Sequence, residues 1–268
     1  MPFLPFARLD RWLAPPPRAG RCDWLARAVY AHRGYHDAPA GRVENSASAF
    51  AAALAAGLGI ECDVQASRDG QALVFHDDDL ARLTARAGRL ADHTAAALTG
   101  IALLGSTDTI QPLSALLAQV AGRVPLLIEI KIAPRARLAP LCRAVSRALS
   151  GYAGPVAVMS FDARVGAWFR AQAPQIVRGL VLTEEAAHGL VARAGRHGGL
   201  WRARPDFLAY DCDDIASRFA QSQRQRGLPL LTWTIDTPQR AARARAFADA
   251  PIAEGAGLAA LLAQAEAR

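Results

Sequence analysis

Lysine is almost missing from this chain: among its 268 residues and 31 basic side chains, Lys131 is the one basic residue that is not arginine. A skew of that kind reflects coding bias, so the formal charge of +7 says little about partners. The arginines are scattered, and no basic tail, zinc-finger spacing or aromatic RNA-binding motif accompanies them, so no nucleic-acid partner is expected. Cysteine is scarce as well. Cys22, Cys62, Cys142 and Cys212 stand far apart, which excludes a CxxC metal or redox motif and leaves reduced core thiols as the expectation. No run approaches the ~18 apolar residues of a membrane-spanning helix. Arg8, Asp10 and Arg11, followed by Pro15-Pro16-Pro17, stand where a secretory signal needs its apolar core, so a cytoplasmic location is expected. No Gly-rich turn follows an early strand, which removes the fingerprint of an open dinucleotide-binding sheet.

What is present is a core. Hydrophobic residues make up 52% and charged residues 21%, a globular composition, and a chain of this length buries about three-quarters of its unfolded surface without a staple. Short apolar runs alternate with Ala/Leu/Arg segments, the pattern of βα units. Strands are expected at Val29–His32, Ile60–Gln65, Leu126–Lys131, Val156–Ser160, Val177–Leu182, Phe207–Asp211, Leu230–Thr234 and Pro251–Glu254. Helices are expected at Ser46–Ala56, Leu113–Val120, Leu138–Leu149, Ala163–Gln172, Glu184–Ala194, Ile215–Arg226 and Pro238–Ala246. Eight strands with helices between them imply a (β/α)8 TIM barrel over residues 29–268. Residues 1–28 form an N-terminal tail that mixes Phe3, Phe6, Trp12, Leu13 and Trp24 with arginines. It either packs on the barrel or makes a peripheral membrane contact.

One segment interrupts the alternation. Ala72–His76 reads as a further strand only a few residues after Ile60–Gln65, too close for a parallel crossover. The Asp69-Gly70 turn signal makes it the return arm of a hairpin or an extended loop, a short excursion after the second strand. A turn centred there pairs residues whose numbers sum to 139 and sets His76 opposite Asp63.

Barrels carry their chemistry at the carboxyl ends of strands. Those positions hold His32-Arg33, Glu61 with Asp63, His76-Asp77, and Glu129 with Lys131. Strand side chains alternate, so Glu61 and Asp63 share a face, as do Glu129 and Lys131. A Glu–Lys pair alone would be a simple ion pair. Three carboxylates against one ammonium are best satisfied by a hard divalent cation with oxygen ligands. Two histidines beside them suit proton uptake and release near neutral pH, and Arg33 offers a fork for phosphate oxygens.

His32-Arg33-Gly34, Glu44-Asn45-Ser46 with Phe50, Glu61-Cys62-Asp63-Val64 and Val74-Phe75-His76-Asp77 follow one another in a specific order. With Leu80, Arg82 and Thr84, Glu129-Ile130-Lys131, Ser160-Phe161-Asp162 and Trp233-Thr234-Ile235-Asp236, the set resembles the glycerophosphodiester phosphodiesterase family. That resemblance implies hydrolysis of glycerophosphodiesters to glycerol 3-phosphate and an alcohol. It implies Mg²⁺ or Ca²⁺ on Glu61, Asp63 and Glu129, an acid–base pair of His32 and His76, and phosphate held by Arg33 and Lys131. Glu44 and Asn45 would brace the site, with Trp233 in a supporting position. The stretch 88–112 corresponds to the family's variable insertion and is short here. Asp236 stands where the family often has asparagine, which bears on substrate choice. A lysophospholipase D would use the same barrel and site. A barrel that only binds phospholipid headgroups would lack some of these groups, and no position is vacant. Headgroup, cation and oligomeric state stay open at this level.

Overall fold

A computed structural model describes residues 6–132, 138–184 and 189–266. The helices are α1 (Ala7–Leu13), α2 (Ala47–Ala55), α3 (Ala81–Thr84), α4 (Ala95–Leu98), α5 (Leu113–Val120), α6 (Leu138–Ala148), α7 (Ala163–Gln172), α8 (Leu190–Ala203), α9 (Arg218–Gln225), α10 (Pro238–Phe247) and α11 (Gly255–Glu266). The strands are β1 (Tyr30–Ala31), β2 (Gly59–Ala66), β3 (Ala72–Val74), β4 (Gln111–Pro112), β5 (Leu126–Ile130), β6 (Val156–Ser160), β7 (Val177–Leu182), β8 (Phe207–Asp211), β9 (Leu230–Ile235) and β10 (Ala250–Ala253). The fold is the expected (β/α)8 barrel, with β3 and β4 added to the alternation.

The chain forms two compact units, one of residues 30–156 and one of residues 1–29 with 157–268. In the first, β2 lies parallel to both β1 and β5, with Ile60 beside Ala31 and Asp63 beside Glu129. Ser46 caps α2 by accepting from the Ala49 N–H. The excursion returns as β3 antiparallel to β2, and β4 pairs with β3. Its connecting loops bury Leu73, Phe75, Leu80, Leu90, Leu98 and Ile110 in a cluster of their own, so the short insertion is a packed element.

The hairpin register departs from the expectation by one residue. Val64 faces Val74 and Gln65 faces Leu73, a sum of 138, so Asp63 stands opposite Phe75, whose N–H donates to the Asp63 carbonyl at 3.0 Å. The cause is the turn. Ser67 closes it by donating its N–H to the Gln71 carbonyl at 3.0 Å, and the Gln71 N–H donates to Ser67 Oγ at 3.0 Å. Three residues therefore span the loop rather than two, and a one-residue slip exchanges the faces of the returning strand.

In the second unit β6 to β10 run parallel in sequential order. Gly179 on β7 pairs with Phe207 on β8, and a Cβ on Gly179 would lie 2.4 Å from the Phe207 ring. Gly179→Ala should therefore destabilise the protein by about 1–3 kcal/mol through overpacking, read from denaturant unfolding; an unchanged midpoint would contradict this packing. The helix expected over 184–194 lies partly outside the described residues, and the observed α8 runs on through Gly198-Gly199 to Ala203. Those glycines each weaken a helix by about 1 kcal/mol, but burial of His197, Leu200 and Ala203 carries it. The expected helix at 215–226 begins only after Ser217, which caps α9. The last unit ends in α11, which the sequence pattern does not announce, because Gln264 and Glu266 are too few polar residues to mark a face.

The N-terminal segment is tied to this second unit by one buried carboxylate. Asp10 on α1 accepts from Trp201 Nε1 and Gln223 Nε2, each at 2.8 Å, and lies 2.8 Å from His197 Nδ1. Trp12 on the same helix stays 76% exposed. The four cysteines are buried and none forms a disulfide. Among the described residues, no helix is long and apolar enough to cross a membrane.

Candidate active site

The register of β2 and β5 assembles the acidic cluster. Asp63 and Glu129 are lateral neighbours, and Glu61 lies two residues earlier on the same face of β2. One carboxylate oxygen from each of the three lies within 4.8 Å of the others. Glu61 and Asp63 are fully buried, and Cys62 between them is buried on the opposite face.

The chain leaving β1 supplies the next groups. Its turn requires Gly34, where a Cβ would meet Ala49 and Phe50 of α2 at 3.0 Å and φ is +82°. That close approach lets the Arg33 N–H donate to Glu61 Oε2 at 3.0 Å and sets His32 Nε2 4.0 Å from the same oxygen. The Arg33 guanidinium lies 2.8 Å from Glu44 Oε1 and 3.4 Å from Asp63 Oδ2. Asn45, in the left-handed region at φ 58°, clamps Asp63 at both ends. Its side-chain amide donates to Asp63 Oδ2 at 2.9 Å, and its oxygen accepts from the Asp63 N–H at 3.1 Å. Lys131 Nζ lies 3.0 Å from Glu129 Oε1 and 3.3 Å from Asp63 Oδ1.

His76 follows β3, and its Nδ1 lies 2.6 Å from Asp77 Oδ1. Arg82 of α3 then grips both Asp77 and Glu44, with its NH2 donating to Asp77 Oδ1 at 2.9 Å and to Glu44 Oε1 at 2.8 Å. The bonds run continuously from His76 through Asp77, Arg82 and Glu44 to Arg33. Burial opposes ionisation of Glu44, but the hydrogen bonds of Arg82 and the Arg33 charge hold its carboxyl down at about 2. Asp77 is also held at about 2, chiefly by Arg82. Both are therefore fixed anions at neutral pH.

Electrostatics at the centre are unbalanced. Burial, then the charges of Asp63 and Glu129, push the Glu61 carboxyl well above the usual carboxylate range. Burial also raises Glu129. Asp63 is lowered despite its burial, because Lys131 and Arg33 face it. Burial works against the Lys131 ammonium, but Glu129 and Asp63 outweigh it and raise its pKa. Burial lowers the His76 pKa, with Lys131 and Arg33 adding to the effect and Asp63 opposing it. Two fixed cations face three carboxylates, two of them buried and Glu129 half-buried, and the residual negative charge, on three converging hard oxygen donors, fits one divalent cation.

Residues 32–253 match the family model described as the glycerophosphoryl diester phosphodiesterase family. The chain belongs to that family. A glycerophosphodiester phosphodiesterase of Bacillus altitudinis is 42% identical over 67 residues, a stretch covering 25% of this chain and 26% of the relative. The chain thus aligns with about a quarter of that curated relative. Among solved structures, a phosphodiesterase of Oleispira antarctica, in complex with the product sn-glycerol-3-phosphate, superposes with a TM-score of 0.73 at 22% identity. That match covers 84% of this chain and 92% of the other. A glycerophosphodiester phosphodiesterase of Thermotoga maritima gives 0.69 at 25% identity, covering 89% of this chain and 97% of that one.

Nine of the ten residues singled out from the sequence lie in the unit of residues 30–156 and meet through the contacts above. Trp233 belongs to the other unit, on β9, where its Nε1 donates to the Ala209 carbonyl at 3.1 Å and its ring meets Phe161 edge-on at 5.4 Å. Asp236, the departure from the family pattern, is 3.2 Å from Arg240 and so is charge-paired locally. Asp77 and Arg82 belong to the family pattern, but the sequence assigns them no role. The available signals were an acid directly after His76 and an arginine six residues beyond it.

Proposed function

We propose that this chain hydrolyses glycerophosphodiesters to sn-glycerol 3-phosphate and an alcohol, with Glu61, Asp63 and Glu129 holding Mg²⁺ or Ca²⁺. The observation that carries the reading is the convergence of three carboxylates within 4.8 Å, with His32 4.0 Å from Glu61 on one flank and the Asp77-braced His76 on the other. Membership of the family and the glycerol 3-phosphate bound by the Oleispira relative support the choice of substrate. When bound, the cation supplies Lewis-acid stabilisation of phosphoryl charge.

The chain's own residues do the rest. Arg33 and Lys131, each braced by two carboxylates, hold non-bridging phosphate oxygens at fixed positions. Asp77 orients His76 through Nδ1, leaving Nε2 to exchange a proton with the substrate. His32 serves the complementary transfer, so that one imidazole takes the nucleophile's proton while the other delivers one to the departing alcohol. Asn45 keeps the Asp63 carboxylate in one orientation.

Glycerophosphocholine turnover, followed by release of glycerol 3-phosphate, should require Mg²⁺ or Ca²⁺ and vanish in EDTA. Full turnover in EDTA would reject the cation, and no turnover of a panel of glycerophosphodiesters with either cation would reject the activity. Because the Glu61 carboxyl titrates high, cation binding should release a proton and tighten as pH rises, which calorimetry in buffers of different ionisation enthalpy would measure.

A further inference from the structure

At the amino-terminal ends of β7 and β8 lies a cavity of about 470 Å³ whose wall carries Arg18, Arg21, Arg170, Arg178 and Arg204 against a single carboxylate, Asp206. This is the opposite end of those strands from the one where barrels place their chemistry. Asp206 is already engaged. Its Oδ1 accepts from Arg21 Nε at 3.0 Å, and its Oδ2 accepts from Arg21 NH2 at 3.1 Å and from Arg178 NH1 at 3.3 Å. Arg21 also donates to the Pro174 carbonyl at 2.8 Å, which anchors its head at the rim.

That leaves the cavity with charge to spare. Arg18, Arg170 and Arg204 make no ion pair among the described residues, and the Arg178 Nε is buried without a hydrogen-bond partner. Burial, then the charges of Arg21 and Arg170, pull the Arg178 guanidinium below its ordinary basicity against the pull of Asp206. Elsewhere in this unit some arginines do meet acids, Arg224 with Asp249 and Arg240 with Asp213 and Asp236. What sets this cavity apart is the convergence of five guanidinium groups on one carboxylate.

We propose that this cavity is a second binding site, for a phosphate-bearing anion of two or more charges. Planar guanidinium forks match phosphate oxygens two at a time, and several of them around one small cavity discriminate a phosphomonoester from a singly charged anion. The ligand is either a free phosphate ester or the phosphomonoester headgroup of a lipid. The site does not depend on the reading of the acidic cluster, so it stands or falls separately.

The test is isothermal titration of the full chain with inorganic phosphate at constant ionic strength, beside the triple variant Arg18→Gln, Arg170→Gln, Arg204→Gln. None of the three touches the acidic cluster, so glycerophosphocholine turnover should stay within about twofold and control for folding, together with an unchanged melting temperature. The wild type should show a binding event that the variant weakens about tenfold or more. Flotation with phosphatidylcholine vesicles containing phosphatidic acid separates the sources. Flotation lost in the variant assigns a lipid headgroup, whereas a changed isotherm without flotation assigns a free phosphate ester. Identical isotherms together with identical flotation would overturn the proposal.

Discussion

Replacing His76 by alanine is expected to lower kcat for glycerophosphocholine about 100- to 10,000-fold, the usual worth of one positioned acid–base group. The fold should survive, because the side chain of His76 is 28% exposed and loss of its contact with Asp77 leaves Asp77 still held by Arg82. Far-UV circular dichroism and the melting temperature should therefore match the wild type. The partial change Asp77→Asn should cost less than His76→Ala, since it leaves the imidazole in place and removes only the anion that orients it. An alanine variant that keeps near-wild-type kcat would remove His76 from the mechanism. A variant that loses kcat and melting temperature together would show that the residue serves folding.

The second large effect concerns stability. Asp10→Ala removes the acceptor shared by Trp201 Nε1 and Gln223 Nε2 and the buried partner of His197 Nδ1, all at 2.8 Å. Breaking a buried pair by deleting one partner costs about 3–5 kcal/mol, so the melting temperature should fall by roughly 6–20 °C. A fall of less than about 2 °C would show that the N-terminal helix contributes little to the fold. The pH dependence has a definite sign. Burial alone would raise the Asp10 carboxyl, but the hydrogen bonds from His197, Gln223 and Trp201 outweigh it and bring it below its ordinary 3.8. A carboxyl depressed in the folded state contributes stability above its unfolded pKa and loses it as the pH falls through the folded one. The gap between wild type and variant should thus be full at neutral pH and close below about pH 4.

Local chemistry makes much of this protein legible before any fold is known. Strand alternation is a property of the backbone, so Glu61 with Asp63, and Glu129 with Lys131, had to share faces once those runs were strands. The apolar runs at 156–160, 177–182 and 207–211 have the observed bounds because turn residues and helix starts fence them closely. Contacts between distant segments are another matter. The roles of Asp77 and Arg82 stayed hidden because Glu44, the third partner, lies 38 residues from Arg82.

The sequence by itself determined the βα alternation, the hairpin after the second strand and the shared faces of Glu61 with Asp63 and of Glu129 with Lys131, because each follows from periodicity over a few residues. Only the tertiary structure decided the hairpin register, where the Ser67–Gln71 closure outweighs the Asp69-Gly70 turn signal. It also decided the length of α8, where burial overrides Gly195, Gly198 and Gly199. The pairing of Asp10 with His197 and the clustering of arginines around Asp206 were decided there too. These last features join segments as much as 187 residues apart, and no local preference carries information over that range.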